Sequence, residues 1–158
     1  MPIVWRDKMS VGHPVIDEDH RTLIAIINDF EDAAAAGSTA ALSTILRRLH
    51  GYAREHFARE EALQVRIGFP FAQAHGQEHR RLIALVEDKA RAWFVDRAQP
   101  LGPQGMEEMA GFLRRWLVEH ILTQDRAMQP YIEAARSRAK AQSAAAAGDE
   151  DDADSKIA

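Results

Sequence analysis

The stretch HFAREEALQVRIGFPFAQAHGQEH, residues 56–79, holds two pairs of side chains at four-residue spacing: His56 with Glu60, and His75 with His79. On an α-helix such pairs project from one face, with Cβ atoms about 5–6 Å apart. Each pair lies inside a longer stripe of helical period. Leu42, Ile45, Leu46, Leu49, Ala53, His56, Glu60 and Leu63 precede the break at Gly68-Phe69-Pro70, while Ala72, His75, His79, Leu82, Ile83, Val86 and Ala90 follow it and lead on to Trp93 or Phe94. Two helices are therefore expected, each with ionisable groups in the row that faces the core. Ser38 is placed to cap the first, and Pro70 suits the first turn of the second.

The same pattern extends outward. His20, Leu23, Ile24, Ile27 and Phe30 recur at three- and four-residue steps until Gly37, with Asp17 as an N-cap and Glu18 and Asp19 in the first turn. That predicts a helix over roughly 18–36. Past a loop at Gln99-Pro100-Leu101-Gly102-Pro103-Gln104-Gly105, a last stripe starts near Met106 and carries Met109, Phe112, Leu113, Trp116, Leu117, His120 and Ile121, with Pro130 expected to end or kink it. Residues 1–16, mixed in Pro, Gly and scattered apolar groups, read as an arm laid over the domain. The expected fold is all-α, an antiparallel up-down-up-down four-helix bundle over residues 1–135. Residues 136–158 form a tail, a short helix with a wetted ARSRAK face followed by an Ala-rich, acidic, disordered end.

Composition narrows the chemistry. The 158 residues are 46% apolar and carry 20 Lys+Arg against 24 Asp+Glu, so a net charge of −4 gives no general reason to expect nucleic acid or an anionic membrane as partner. No apolar run approaches the roughly 18 residues of a membrane span, and the first residues lack the form of a secretory signal. A soluble cytoplasmic protein, with a monomer as the simplest assembly, is the expectation. With seven His and no Cys, thiolate metal sites, disulfides and cysteine nucleophiles are excluded.

The stripes bring His20, His56, Glu60, His75, His79 and His120, with Asp125 nearby, toward one core. Burying so many polar groups without partners costs several kcal/mol apiece, and metal satisfies them together. Five imidazoles and two carboxylates suit two ions, with Glu60 and Asp125 as natural bridges because each carboxylate has two oxygens. Nitrogen and oxygen donors fit iron, zinc, copper or nickel, and the ligand types leave that choice open. His120 and Asp125 are five residues apart, which turns an ideal helix by about 500° and leaves the side chains about 140° apart. If both bind one centre, the helix must be distorted between them, as by a π-bulge.

In order along the chain, Ser10-Val11-Gly12 leading into Ile16-Asp17-Glu18-Asp19-His20, His56-Phe57-Ala58-Arg59-Glu60-Glu61, His75-Gly76-Gln77-Glu78-His79, and Trp116-Leu117-Val118-Glu119-His120-Ile121 before Asp125 resemble the bacterial hemerythrins, from about Trp5 to Tyr131. His13, where that family often has a small apolar residue, and the acidic extension past residue 140 depart from the pattern. The resemblance implies two iron ions joined by an oxo or hydroxo bridge and reversible O2 binding for carriage, storage or delivery, without enzymatic activity. One iron would be held by His75, His79 and His120, the other by His20 and His56, and Glu60 and Asp125 would bridge them. The second iron keeps an open position for O2.

Leu23, Phe57, Trp116, Leu117 and Ile121 flank the ligands in sequence and are expected to wall an apolar O2 pocket, while Trp93 and Phe112 belong to the core. His13 and His50 fall outside the motif and are expected at the surface, and Glu61 and Glu78 point about 100° away from the adjoining ligands, toward solvent. Two other functions share the same residues. A redox enzyme reducing nitric oxide or peroxide needs a proton donor in the pocket, with Tyr52 or Tyr131 having to reach in. An O2 or redox sensor needs an output element, for which only the tail remains. A zinc-binding bundle is the alternative at the level of the metal.

Overall fold

The computed structural model describes residues 2–96 and 102–154. Four long helices run α1 (Pro14–Ala35), α2 (Thr39–Ile67), α3 (Ala72–Ala90) and α4 (Pro103–Thr123), with a fifth, α5 (Gln129–Asp154), after them. No strand occurs among the described residues. α1 packs against α2 and α4, and α2 against α3. The short links make sequential neighbours antiparallel, so the expected four-helix bundle is the fold.

Local chemistry explains the boundaries. α1 starts earlier than the apolar period implied, because Pro14 takes the first helical position and His13 the N-cap. Asp17 is thus not the cap. It sits in the first turn and reaches back to the arm, where Ser10 Oγ donates to its Oδ2 at 2.6 Å and the Val11 amide to its Oδ1 at 2.8 Å. Ile3 is pinned to α1 by both its backbone groups, which pair with the Asn28 side chain at 2.8 and 3.0 Å. Ser38 does cap α2, accepting from the Ala41 amide. Gly68 ends that helix at φ +70°, a left-handed conformation that side chains with a Cβ rarely adopt.

Pro70 lies before α3, in the turn closed by the Ala72 amide on the Phe69 carbonyl, and not in the helix's first turn. α3 does run on through Trp93 and Phe94, as a π-helical turn over Arg91–Val95. α4 begins a turn before Met106, at Pro103 with Gly102 as N-cap, because the exposed Pro103 and Gln104 add no apolar signal. Residues 99–101 of the expected loop lie outside the described residues. Pro130 neither ends nor kinks α4. It falls in the first turn of α5, where a missing N–H leaves nothing unpaired. α5 extends the short tail helix as far as Asp154, in keeping with the helix propensity of its alanines, and is exposed from Arg136 through Ala146. The expectation of a disordered end falls partly on residues 155–158, outside the described residues.

The core is layered. A large apolar cluster includes Leu23, Phe30, Leu46, Leu49, Phe57, Leu82, Leu113 and Leu117. A smaller one holds Val11, Ile16, Leu63, Ile67, Phe69, Met128 and Ile132. α1 and α2 pass from one cluster to the other through a short polar stretch, His20 on α1 and His56 and Glu60 on α2. His75 and His79 on α3 and His120 near the end of α4 are the buried polar residues beside the larger cluster.

Candidate metal centre

Those side chains and Asp125 meet in one layer, and none of the seven is more than 4% exposed. Asp125 reaches it because α4 stops at Thr123 and the chain tightens into a 3-10 turn over Asp125–Met128. A distortion between His120 and Asp125 is therefore present, as a helix end and 3-10 turn instead of a π-bulge. It turns the carboxylate back to within 2.9 Å of His120 Nε2.

The two carboxylates divide their oxygens between two groups of imidazoles. Glu60 Oε1 lies 2.7 Å from His75 Nε2 and 3.7 Å from His79 Nε2, whereas Oε2 lies 3.2 Å from His56 Nε2 and 3.9 Å from His20 Nε2. Asp125 Oδ1 faces His120 and His75, the latter at 3.1 Å, and Oδ2 faces His20 at 3.1 Å. One oxygen of each carboxylate thus belongs to the trio His75, His79 and His120. The other belongs to the pair His20 and His56.

These approaches do not satisfy the atoms concerned. His20 Nε2, His75 Nε2, Glu60 Oε2 and both Asp125 oxygens are buried with no hydrogen-bond partner. His79 Nε2 and His120 Nε2 face each other at 3.2 Å. Converging lone pairs in a buried layer are what a cation resolves, and Glu60 with His75, His79, His120 and Asp125, and His20 with His56 and Glu60, are each grouped closely enough to hold an ion.

The protonation preferences of the chain alone carry the same message. Burial works to lower the pKa of His56, yet the Asp19 and Glu60 carboxylates facing the ring carry it up to about 9. His75 likewise rises against burial to about 9 because Asp125 and Glu60 face it. At His79 burial wins and the ring falls to about 3. Burial and the charge of Asp125 push Glu60 up, but His56 and His75 hold it below its ordinary value. Asp125, also opposed by burial, is held well down by His120, His20 and His75.

Three further polar residues support the layer, and the apolar stripes gave no sign of them. Asp19, read only as a first-turn acid, is buried behind His56, with its Oδ2 3.3 Å from Nδ1. Glu61, expected in solvent, is half-exposed but turns Oε1 to within 3.1 Å of His79 Nδ1. Gln64, fully buried, donates to Glu60 Oε1 at 3.2 Å. Its place four residues after Glu60 is the one signal that was available. Glu78 pairs with Arg81 at the surface.

Aromatic rings lock the imidazoles from the side of the larger cluster. Phe57 stacks on His79 with centroids 3.8 Å apart, and Trp116 stacks on His120 at 4.8 Å. Against them lies a cavity of about 10 Å³, room for about one water-sized molecule. Leu23, Phe57, Trp116 and Leu117 line it, together with Leu49 and Leu113. Ile121 is buried in the same cluster but does not line this cavity.

His50 and His13 stay out of the seven-residue layer, yet neither is a plain surface group. His50 is half-buried, touches the cavity, and donates from Nε2 to Glu87 Oε1 at 2.7 Å. His13 is half-buried at the start of α1, with Nδ1 unpaired. Tyr52 donates its hydroxyl to Asp19 and Tyr131 packs on Phe69, so neither lines the cavity.

The chain is similar to known proteins in sequence and in fold. A family model, the hemerythrin HHE cation binding domain, matches residues 11–132. Bacteriohemerythrin of Pseudomonas aeruginosa (strain UCBPP-PA14) is 33% identical over 134 residues, covering 85% of this chain and 82% of that protein. Bacteriohemerythrin of Stenotrophomonas maltophilia (strain R551-3) is 30% identical over 132 residues, covering 84% and 82%. A wild-type hemerythrin crystal structure superimposes with a TM-score of 0.73 at 25% identity, over 82% of this chain and 97% of that one.

Proposed function

The chain belongs to the hemerythrin family, and on that premise we propose that it binds O2 reversibly at a pair of iron ions, for carriage, storage or delivery. The division of the Glu60 and Asp125 oxygens between two groups of imidazoles is the observation that carries this reading. His75, His79 and His120 with one oxygen from each carboxylate make five donors, and His20 and His56 with the other two oxygens make four. An ion held on the four-donor side would have room for a further ligand. When bound, the iron pair, with an oxo or hydroxo bridge, supplies two electrons and a coordination position for O2.

The residues of the chain do the rest. Nitrogen donors outnumber carboxylates, which favours the reduced, less charged ions. Leu23, Phe57, Trp116 and Leu117 present carbon surface next to the centre and keep water from it. Stacking by Phe57 and Trp116 holds His79 and His120 in position. Among the described residues no helix is long and apolar enough to cross a membrane. A cytoplasmic monomer with O2 as its ligand completes the proposal.

One observation favours a second reading, a redox enzyme. His50 touches the otherwise apolar cavity and is a proton donor of the kind reduction of nitric oxide or peroxide needs, in place of Tyr52 or Tyr131. One experiment decides between them: reduce the iron-loaded protein without air, admit O2, and follow the visible charge-transfer band while cycling to vacuum. Repeated appearance and loss of the band supports carriage. One-way conversion with product turnover overturns it in favour of the enzyme.

A further inference from the structure

Among the described residues, His56 has something the other four central histidines lack: a carboxylate, itself buried, directly behind its ring. Asp19 Oδ2 lies 3.3 Å from His56 Nδ1. Three other donors fix that carboxylate. Tyr52 Oη donates to Oδ1 at 2.8 Å, Arg59 Nε to Oδ2 at 2.8 Å, and Arg59 Nη2 to Oδ1 at 2.9 Å. The contrast lies within the same pair, since His20 Nδ1 is buried with no partner. On the other side of the centre, the carboxylate behind His79 is the half-exposed Glu61.

A carboxylate gripped in this way only accepts. His56 Nδ1 must therefore carry a hydrogen, which makes Nε2, aimed past Glu60 Oε2 at the centre, the nitrogen that can offer a lone pair to an ion. The charge behind the ring also makes Nε2 a stronger donor. We propose that Asp19 is a positioning residue for the ion held by His20 and His56, so that this ion depends on the Asp19–Tyr52–Arg59 cluster and its neighbour does not. Three of the four bonds to Asp19 tie α1 to α2 without involving the metal layer at all, so a purely structural role is the competing account. The two accounts differ in what they predict for the two ions separately.

The inference rests on the two-ion reading above, and one titration tests each independently. The metal-free full-length chain is titrated with Co2+ under nitrogen, with stoichiometry from calorimetry and ligand-field bands as the readout, beside the thermal midpoint of each metal-free chain. The wild type is expected to take two ions. Asp19→Asn is expected to weaken one of them 10–100-fold and leave the other unchanged, while Glu61→Gln weakens the other. Arg59→Gln and Tyr52→Phe, which loosen the grip without removing the carboxylate, should weaken the same ion as Asp19→Asn by a smaller factor, and they carry the test if Asp19→Asn fails to fold. Equal weakening of both ions, or a lowered midpoint with both ions bound as in the wild type, overturns the role of Asp19. A wild type that takes a single ion overturns the two-ion reading itself.

Discussion

Gly76 and Glu61 are fitted to each other across the α2–α3 seam: a Cβ at residue 76 would stand 3.3 Å from Glu61 Oε1. That oxygen is the one bonded to His79 Nδ1. The glycine between His75 and His79 therefore leaves room for the carboxylate that orients one of them. Gly76→Ala should separate fold from site. A glycine-to-alanine change inside a helix raises helix stability by about 1 kcal/mol, so the metal-free thermal midpoint should hold or rise. The displaced Glu61 should weaken metal binding up to about 10-fold. Unaltered affinity in a Co2+ titration would show that Glu61 is a bystander.

Metal uptake should release protons. In the metal-free chain His56 and His75 hold theirs up to about pH 9, while His79 is already neutral above about pH 3. Apparent affinity should thus climb with pH and level off above about 9, with up to two protons displaced per loaded chain at neutral pH. The same shifts act on the metal-free fold. Both rings bind protons more tightly folded than unfolded, so their stabilisation is complete below the ordinary imidazole value of about 6.5. It is lost as pH rises through about 9. A pH-indicator assay during loading, and melts of the metal-free chain on either side of that range, check both statements.

His120→Ala and His50→Ala form a matched pair. The first removes a ring that faces Asp125 at 2.9 Å and should cut iron content to about half, at the trio side of the layer. The second removes a ring outside the layer and should leave iron content as in the wild type. Iron lost from His50→Ala would show the seven-residue set to be wrong. Turnover lost from it with iron intact would support the enzyme reading.

Leu117→Tyr places a hydroxyl in the cavity wall, where the leucine is 2% exposed. A polar group and the water it attracts should shorten the lifetime of the oxygenated protein several-fold. Decay of the visible band after O2 is admitted measures it. An unchanged lifetime would remove Leu117 from the group that keeps the site dry.

The helices could be read from the sequence because burial imposes a period of 3.6 on the side chains that face inward, and His20, His56, Glu60, His75, His79 and His120 lie in those rows. Helix ends were less legible. Pro14 and Pro103 set two starts by backbone geometry, outside any apolar row, and Pro130 begins a helix that the Met109–Ile121 stripe does not announce. Asp125 could be placed only by assuming a distortion, and its 3-10 form follows from contacts that only the packed chain makes. Asp19 and Glu61 were hidden for another reason. They point sideways from their helices toward a neighbour, and no periodicity along one helix reports what stands on the next. Ile121 shows the limit in the other direction, since adjacency to His120 does not put a residue on the cavity wall.

The stacking of carbon, nitrogen-and-oxygen, and carbon again along α1 and α2 has a bearing on how long a molecule survives. A chain made when iron is scarce has only the protons on His56 and His75 to offset the buried carboxylates at its waist, and several polar atoms there stay unpaired. Metal that binds the folded chain and not the unfolded one stabilises the fold, and so lowers the fraction of molecules open to proteases. Cellular abundance of this protein should then follow iron supply through degradation alone, with no change in its synthesis.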